Sequence, residues 1–199
     1  SPESARSVYE TAREFFLPQL LGETLDSAAE VMERLAVFKG NSFAKASVET
    51  AWWALDSKLK GIPLWRALGA TEPVVRCGAD FGVQDTIDEL LALIQTAVDD
   101  DYPRIKLKVK HGWDIEMLEA VRGAFPDPVI HVDCNSGYDL KKDIDTLKAF
   151  DRFNLAMIEQ PLDHLDLIDH AELQKQIQTP VCLDESVKRP RDFELALRV

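Results

Sequence analysis

After Pro73 the chain changes rhythm, and this change constrains its fold more than any other feature. Apolar runs of strand length at 74–83, 104–109, 129–133, 155–159 and 181–184 alternate with helix-length amphipathic stretches at 86–99, 115–125, 141–150 and 164–177, and from Arg191 onward. Strands separated by helices pair in parallel, because each crossover returns the chain to the same end of the sheet. Two architectures satisfy that rule, an open doubly wound α/β sheet and a (β/α)8 barrel. The first strand is followed by no glycine-rich phosphate loop. The nearest candidate, Gly78-Ala79-Asp80-Phe81-Gly82, lacks the dinucleotide fingerprint, which weighs against the open nucleotide-binding sheet.

The N-terminal third follows a helical period instead. Ser4 to Leu17 places Val8, Ala12, Phe15 and Phe16 on one side of a helix that Pro18 ends. Thr24 or Asp26 is expected to cap a second helix running to about Phe38 and closed by Gly40-Asn41. A third, from Phe43 to about Lys60, is apolar at Ala44, Val48, Ala51, Trp52 and Leu55. Trp52, Trp53 and Trp65 fall at helical spacing and read as core.

Composition removes several classes of function. The 46% hydrophobic and 29% charged content is that of a globular protein. A formal net charge of −12 argues against a nucleic-acid partner, which needs clustered Lys and Arg to neutralise phosphate. No apolar run approaches the ~18 residues that mark a membrane span. Cys77, Cys134 and Cys182 are odd in number and widely spaced, so a disulfide framework is not expected and a reducing cytoplasm is. The chain starts inside a helical pattern and stops at Leu197-Arg198-Val199 without a terminal signal, as expected of part of a longer protein.

Charge collects at the C-terminal ends of the strands. Asp133, Glu159 and Asp184 each follow an apolar run and stand 26 and 25 residues apart, one per βα unit. Such positions converge on one mouth of a barrel, where like charges need a cation. Oxygen-only ligands suit a hard divalent metal, above all Mg²⁺, with Mn²⁺ as the alternative. Any one such acid would equally serve as a helix cap; three in phase favour the metal. One strand earlier, Lys106 and Lys108 share a face by alternation. Two lysines beside a metal are expected to depress each other's pKa, so that one can take up a proton. Arg104 and Lys110 continue the same parity, which also fits a solvated basic face. His111, His131, His164 and His170 are too scattered for a transition-metal site and are expected on surfaces or helix faces.

Taken in order, Arg104-Ile105-Lys106-Leu107-Lys108, Gly112-Trp113-Asp114, Val132-Asp133-Cys134-Asn135, Ile158-Glu159-Gln160-Pro161-Leu162 and Cys182-Leu183-Asp184-Glu185-Ser186 resemble the enolase superfamily. Within it they are most similar to the muconate-lactonizing subgroup and its o-succinylbenzoate synthase / N-acylamino acid racemase branch. Ala44-Lys45-Ala46 through Ala54-Leu55-Asp56, and Pro63 to Gly69, resemble the helices that lead from that family's capping domain into its barrel. The resemblance implies a TIM-type (β/α)8 barrel: residues 1–70 would be the helical part of an α+β capping domain and 71–199 the first five βα units. It implies Lys108 as the base that removes a proton α to a carboxylate, Lys106 as its neighbour, and Asp133, Glu159 and Asp184 as Mg²⁺ ligands. It places Asn135 near the substrate carboxylate or the metal. The implied reactions are dehydration to o-succinylbenzoate in menaquinone synthesis or racemisation of N-acylamino acids. Dipeptide epimerase and muconate cycloisomerase chemistry are alternatives, and so is a non-catalytic fragment. The implied partners are a small carboxylate substrate and, for the full-length protein, further copies of itself.

Two positions depart from the branch. Cys134 stands in place of the usual alanine, and its thiol is expected to pack in the barrel wall. Asp80 stands where the branch commonly has a serine that contacts the acyl part of the substrate; its charge disfavours an anionic succinyl tail, and a cap role is equally open. The family's sixth-strand lysine and the sheet of its capping domain have no counterpart among these residues.

Overall fold

The computed structural model describes residues 3–199, and the chain divides after Val75 into two compact units.

In the first unit, helix α1 (Ala5–Thr11) widens into a π turn over Ala12–Phe16 and ends in a 3-10 turn at Leu17–Gln19, where Pro18 removes a donor. The cap of α2 (Ala28–Arg34) is neither Thr24 nor Asp26. Ser27, in extended conformation, accepts from Glu30 N–H at 3.2 Å, and the Glu30 carboxylate accepts from Asp26 N–H at 2.9 Å. α3 (Ser42–Leu59) starts after Asn41, whose φ of 54° precludes ordinary side-chain capping. The orphan amides of Phe43 and Ala44 donate instead to the Glu3 carboxylate, at 2.8 and 3.2 Å. Phe16, Val31, Leu35, Ala44 and Val48 form this unit's core, with Trp52 packed against it and donating from Nε1 to Leu25 O at 3.3 Å. A short α4 (Leu64–Ala67) follows.

The second unit is a five-stranded, all-parallel sheet in the order β1 (Ala79–Phe81), β2 (Ile105–Lys108), β3 (Ile130–Asp133), β4 (Ile158–Glu159), β5 (Val181–Cys182). Helices α5 (Ile87–Asp99), α6 (Asp114–Ala124), α7 (Leu140–Ala149), α8 (Leu167–Gln174) and α9 (Pro190–Ala196) alternate with them. Strictly sequential order settles the architecture. Parallel crossovers being right-handed by rule, sequential order puts successive helices on one face, so the sheet is a barrel segment rather than a doubly wound sheet, which reverses its strand order. Ile105, Leu107, Ile130, Val132 and Ile158 are fully buried on the helix side, against Leu90, Ile94, Met117, Leu118, Leu147 and Leu173. Cys134 is buried in the same core, as expected of a barrel-wall thiol, and the three cysteines are free. Among the described residues, no helix is long and apolar enough to cross a membrane.

The strands are shorter than their apolar runs. Val74 and Val75 are exposed rather than paired, because β1 has β2 as its neighbour and pairing starts where Ala79 N–H reaches Arg104 O at 2.9 Å. That approach is close enough to require Gly78: a Cβ there would lie 2.8 Å from Arg104 O. Thr86 caps α5 in a reciprocal box with Glu89, both bonds 3.2 Å. Asp80 lies inside β1 and is therefore not a cap.

Candidate active site

Register sets which side chains share the face opposite the helices. Lys106 pairs with Asp80 and with His131, and Lys108 pairs with Asp133, which pairs with Glu159. Alternation turns all of these away from α5–α8. The basic pair therefore lies inside the sheet, between β1 and β3, and not on an edge strand.

Asp133 is the centre of the cluster, its side chain 0% exposed. Its Oδ2 accepts from Lys106 Nζ at 2.8 Å and Lys108 Nζ at 2.5 Å, and its Oδ1 accepts from Asn135 N–H at 2.9 Å. Burial by itself would raise this carboxyl, but the two ammonium groups and the amide together hold it below the ordinary range. Lys106 also donates to Glu159 Oε1 at 2.7 Å. Burial opposes its charge, yet the bonds to Asp133 and Glu159 outweigh that and hold it above the ordinary lysine value. Lys106 is held up because carboxylates from two neighbouring strands reach it. Glu159 moves the other way: burial, with the charges of Asp133 and Asp184, raises it despite Lys106.

Beyond β3 the chain turns sharply. Asn135 and Ser136 both have positive φ, 43° and 62°, and Gly137 follows, where a Cβ would lie 2.9 Å from Cys134 O. The turn aims Asn135 across the mouth: its Oδ1 accepts from Lys108 at 2.8 Å and its Nδ2 donates to Glu185 at 3.0 Å.

The residues singled out in the sequence divide into two groups. Lys106, Lys108, Asp133, Asn135 and Glu159 form one hydrogen-bonded cluster. Asp184 lies beyond β5 and Asp80 on β1, both exposed. Among the described residues no three His, Cys, Asp or Glu side chains stand close enough together to hold a metal. The cation that Asp133 and Glu159 share is the Lys106 ammonium. The donor chemistry still fits a hard divalent ion: carboxylate oxygens on adjacent strands, at paired register, with Asp184 two residues past Cys182, the partner of Glu159.

Of the histidines expected on surfaces or helix faces, two are buried, His131 in a strand and His170 on a helix. His131 is 1% exposed on β3, with Nε2 3.4 Å from Glu159 Oε2 and Nδ1 without a partner among the described residues. Burial, helped by the charges of Arg104 and Lys106, pulls it down to about 4, so it is neutral at pH 7. Its odd parity with Asp133 was the available signal. His170 is buried on α8, its Nε2 accepting from Leu162 N–H at 3.2 Å. Gln160 and Glu185, adjacent to the acids, stand inside the motifs of the resemblance, but no residue pattern assigned either a role of its own.

Comparison with known proteins points one way. The profile of the enolase C-terminal domain-like family matches residues 89–199, and that of the mandelate racemase / muconate lactonizing enzyme N-terminal domain matches residues 1–69. An o-succinylbenzoate synthase of Geobacillus kaustophilus is 44% identical over 197 residues, 99% of this chain and 52% of its own. An N-succinylamino acid racemase of Thermus thermophilus is 44% identical over 174 residues, 87% of this chain and 47% of its own. The crystal structure of an enolase superfamily member from Listeria innocua superposes with a TM-score of 0.91 at 37% identity, covering 100% of this chain and 53% of that one. The chain spans about half the length of these relatives.

Proposed function

The chain belongs to the enolase superfamily, with both its mandelate racemase / muconate lactonizing enzyme domains represented, and from that premise we propose that the whole protein is a lyase or isomerase that removes a proton α to a carboxylate. The reaction is dehydration to o-succinylbenzoate, racemisation of N-acylamino acids, or both, in line with the o-succinylbenzoate synthase and N-succinylamino acid racemase that are each 44% identical to the chain. The substrate is a small carboxylate and the setting the cytoplasm, with menaquinone synthesis the route served by the dehydration. Residues 1–70 serve as the helical part of a capping domain, residues 71–199 as the first five units of the barrel, and the whole protein assembles with copies of itself.

One observation carries this reading: two lysines and two carboxylates from three successive strands meet on the face away from the helices, in a single hydrogen-bonded cluster. An α-proton beside a carboxylate is weakly acidic, and its removal doubles the charge on the substrate. Asp133, Glu159 and Asp184 would hold a divalent Mg²⁺ (or Mn²⁺), which when bound would supply positive charge to offset that added negative charge, the pairing typical of this superfamily. Lys108 is the base: contacts of its Nζ to Asp133 and Asn135 hold it at the mouth, where it would take the α-proton of a bound substrate. Lys106, held charged by Asp133 and Glu159, adds a fixed positive group next to it. Asn135 orients the substrate carboxylate, and Asp80, in register with Lys106, meets the acyl portion.

The test is exchange of the substrate α-proton with deuterated water, followed by NMR on the whole protein. Lys108→Ala should slow it by at least about 10²-fold, the usual contribution of a positioned base. Exchange at the original rate would overturn the assignment.

A further inference from the structure

Gln160 is 0% exposed and takes a φ of 40°, a left-handed conformation unusual for a side chain this long. The parallel ladder between β4 and β5 explains why. Ile158 N–H donates to Pro180 O and Gln160 N–H donates to Cys182 O, both at 2.8 Å. Were the ladder to continue, Asp184 N–H would donate to the main-chain carbonyl of Gln160. That carbonyl has turned the opposite way and accepts from Ser136 N–H, beyond β3, at 2.8 Å. The side-chain carbonyl takes its place: Gln160 Oε1 accepts from Asp184 N–H at 2.9 Å and from Ser186 N–H at 3.2 Å.

The other half of the amide is held just as firmly. Gln160 Nε2 donates to Ser186 Oγ at 2.7 Å and to Leu162 O at 3.3 Å, and it lies 3.4 Å from His170 Nε2. His170 Nε2 already accepts from Leu162 N–H, so its proton sits on Nδ1 and is donated to Asp166 O at 2.5 Å. One residue thus ties the ends of β3, β4 and β5 together, and these ends carry Asp133, Glu159 and Asp184.

We propose that Gln160 is a positioning residue that sets the spacing of the three carboxylates, chiefly by fixing the loop that presents Asp184, and so governs the affinity of the site for a divalent cation. The inference rests on the metal-binding role proposed above. It differs from a packing role because both ends of the amide are matched to particular partners, and a methionine of similar volume would fill the space without them.

The experiment titrates Mg²⁺ alone, or Mn²⁺ alone, into the whole protein by calorimetry, with circular dichroism and a thermal melt on each variant. Gln160→Met should bind the metal about 10- to 100-fold more weakly while still folded at the titration temperature, the usual cost of losing a group that orients a ligand. Gln160→Glu keeps an acceptor for Asp184 N–H and should recover most of the affinity. Ser186→Ala, which removes one acceptor of the amide, should shift affinity the same way by less, and it decides the matter if Gln160→Met does not fold. Unchanged affinity in the folded Gln160→Met variant, or in Ser186→Ala where that variant decides, would overturn the proposal. Equal weakening in Gln160→Met and Gln160→Glu would do so too, since the glutamate keeps both the volume and the acceptor for Asp184 N–H, and holding that loop through Oε1 would then not govern affinity. A parent protein that binds neither metal, or an Asp184→Asn variant that binds as well as the parent, would overturn the metal site itself instead.

Discussion

The Lys106 ammonium stands 2.8 Å from Oδ2 of Asp133, the same oxygen that Lys108 touches at 2.5 Å. One buried carboxylate oxygen therefore accepts from both lysines of a single strand, with Glu159 supplying Lys106 a second anion. Asp133→Asn leaves those cations facing each other with a neutral amide between them. Breaking a buried ion pair costs about 3–5 kcal/mol, and because both lysines keep partial contact with water the lower end, about 3 kcal/mol, is expected. Urea denaturation of the whole protein measures it; a loss under about 1 kcal/mol would mean that solvent already screens the pair.

Arg122 on α6 works without a carboxylate. Its guanidinium donates to Phe153 O at 2.6 Å, to Pro128 O and Asn154 O at 2.8 Å, and to Phe125 O and Pro126 O at 3.3 Å. Burial lowers its pKa, yet a planar fork of donors is what these diverging carbonyls require. Arg122→Lys should destabilise almost as much as Arg122→Ala, by about 2–3 kcal/mol, because a single ammonium cannot span them. A lysine variant as stable as the parent would show that charge alone suffices.

Asp151 ties the turn after α7 to the chain entering β5. Its carboxylate accepts from Gln178 N–H at 2.9 Å, Thr179 N–H at 2.8 Å and Thr179 Oγ1 at 2.7 Å. Partial burial raises its pKa, but these three donors outweigh it and the group sits below the usual carboxylate range. The folded value being depressed, the stabilisation is complete above the unfolded value of about 3.9 and fades as pH falls through the folded one. Asp151→Asn should thus be less stable than the parent at pH 7, by about 1–2 kcal/mol, with the gap closing under acid. Urea midpoints from pH 7 down to 3 check this, and a gap independent of pH would refute it.

Tyr138 and Asp114 make a buried pair at the same end of the sheet. Tyr138 Oη donates to Asp114 Oδ2 at 2.8 Å, and Asp114 Oδ1 accepts from Ile115 N–H at 2.7 Å. Burial and the Asp114 carboxylate raise the Tyr138 phenol above its ordinary value, so it remains a donor throughout the usual pH range. Tyr138→Phe keeps the ring against Phe150 but strips Asp114 of a donor, and should cost about 1–3 kcal/mol. An unchanged urea midpoint would mean that water replaces the hydroxyl.

Much of this molecule is legible in its residue string. The alternation after Pro73 specifies parallel βα units, and the phasing of Asp133, Glu159 and Asp184 marks one end of the sheet, because side-chain direction in a strand follows from sequence parity. Parity also places Lys106 and Lys108 together. It would have placed His131 with them, had the histidines been read strand by strand rather than as a scattered set.

The rest depended on contacts between segments distant in the chain. Capping α3 fell to Glu3, about 40 residues away, which no local signal records. The pKa of Lys106 is raised because carboxylates from two other strands reach it, and this balance exists only once β2, β3 and β4 are paired. Gln160 shows the division most clearly. Its place beside Glu159 is plain in the sequence, but its work depends on a backbone angle of positive φ and on three strand ends converging, and both arise only when the sheet has formed. Local periodicity sets which residues face the mouth; long-range hydrogen bonding sets which of them touch.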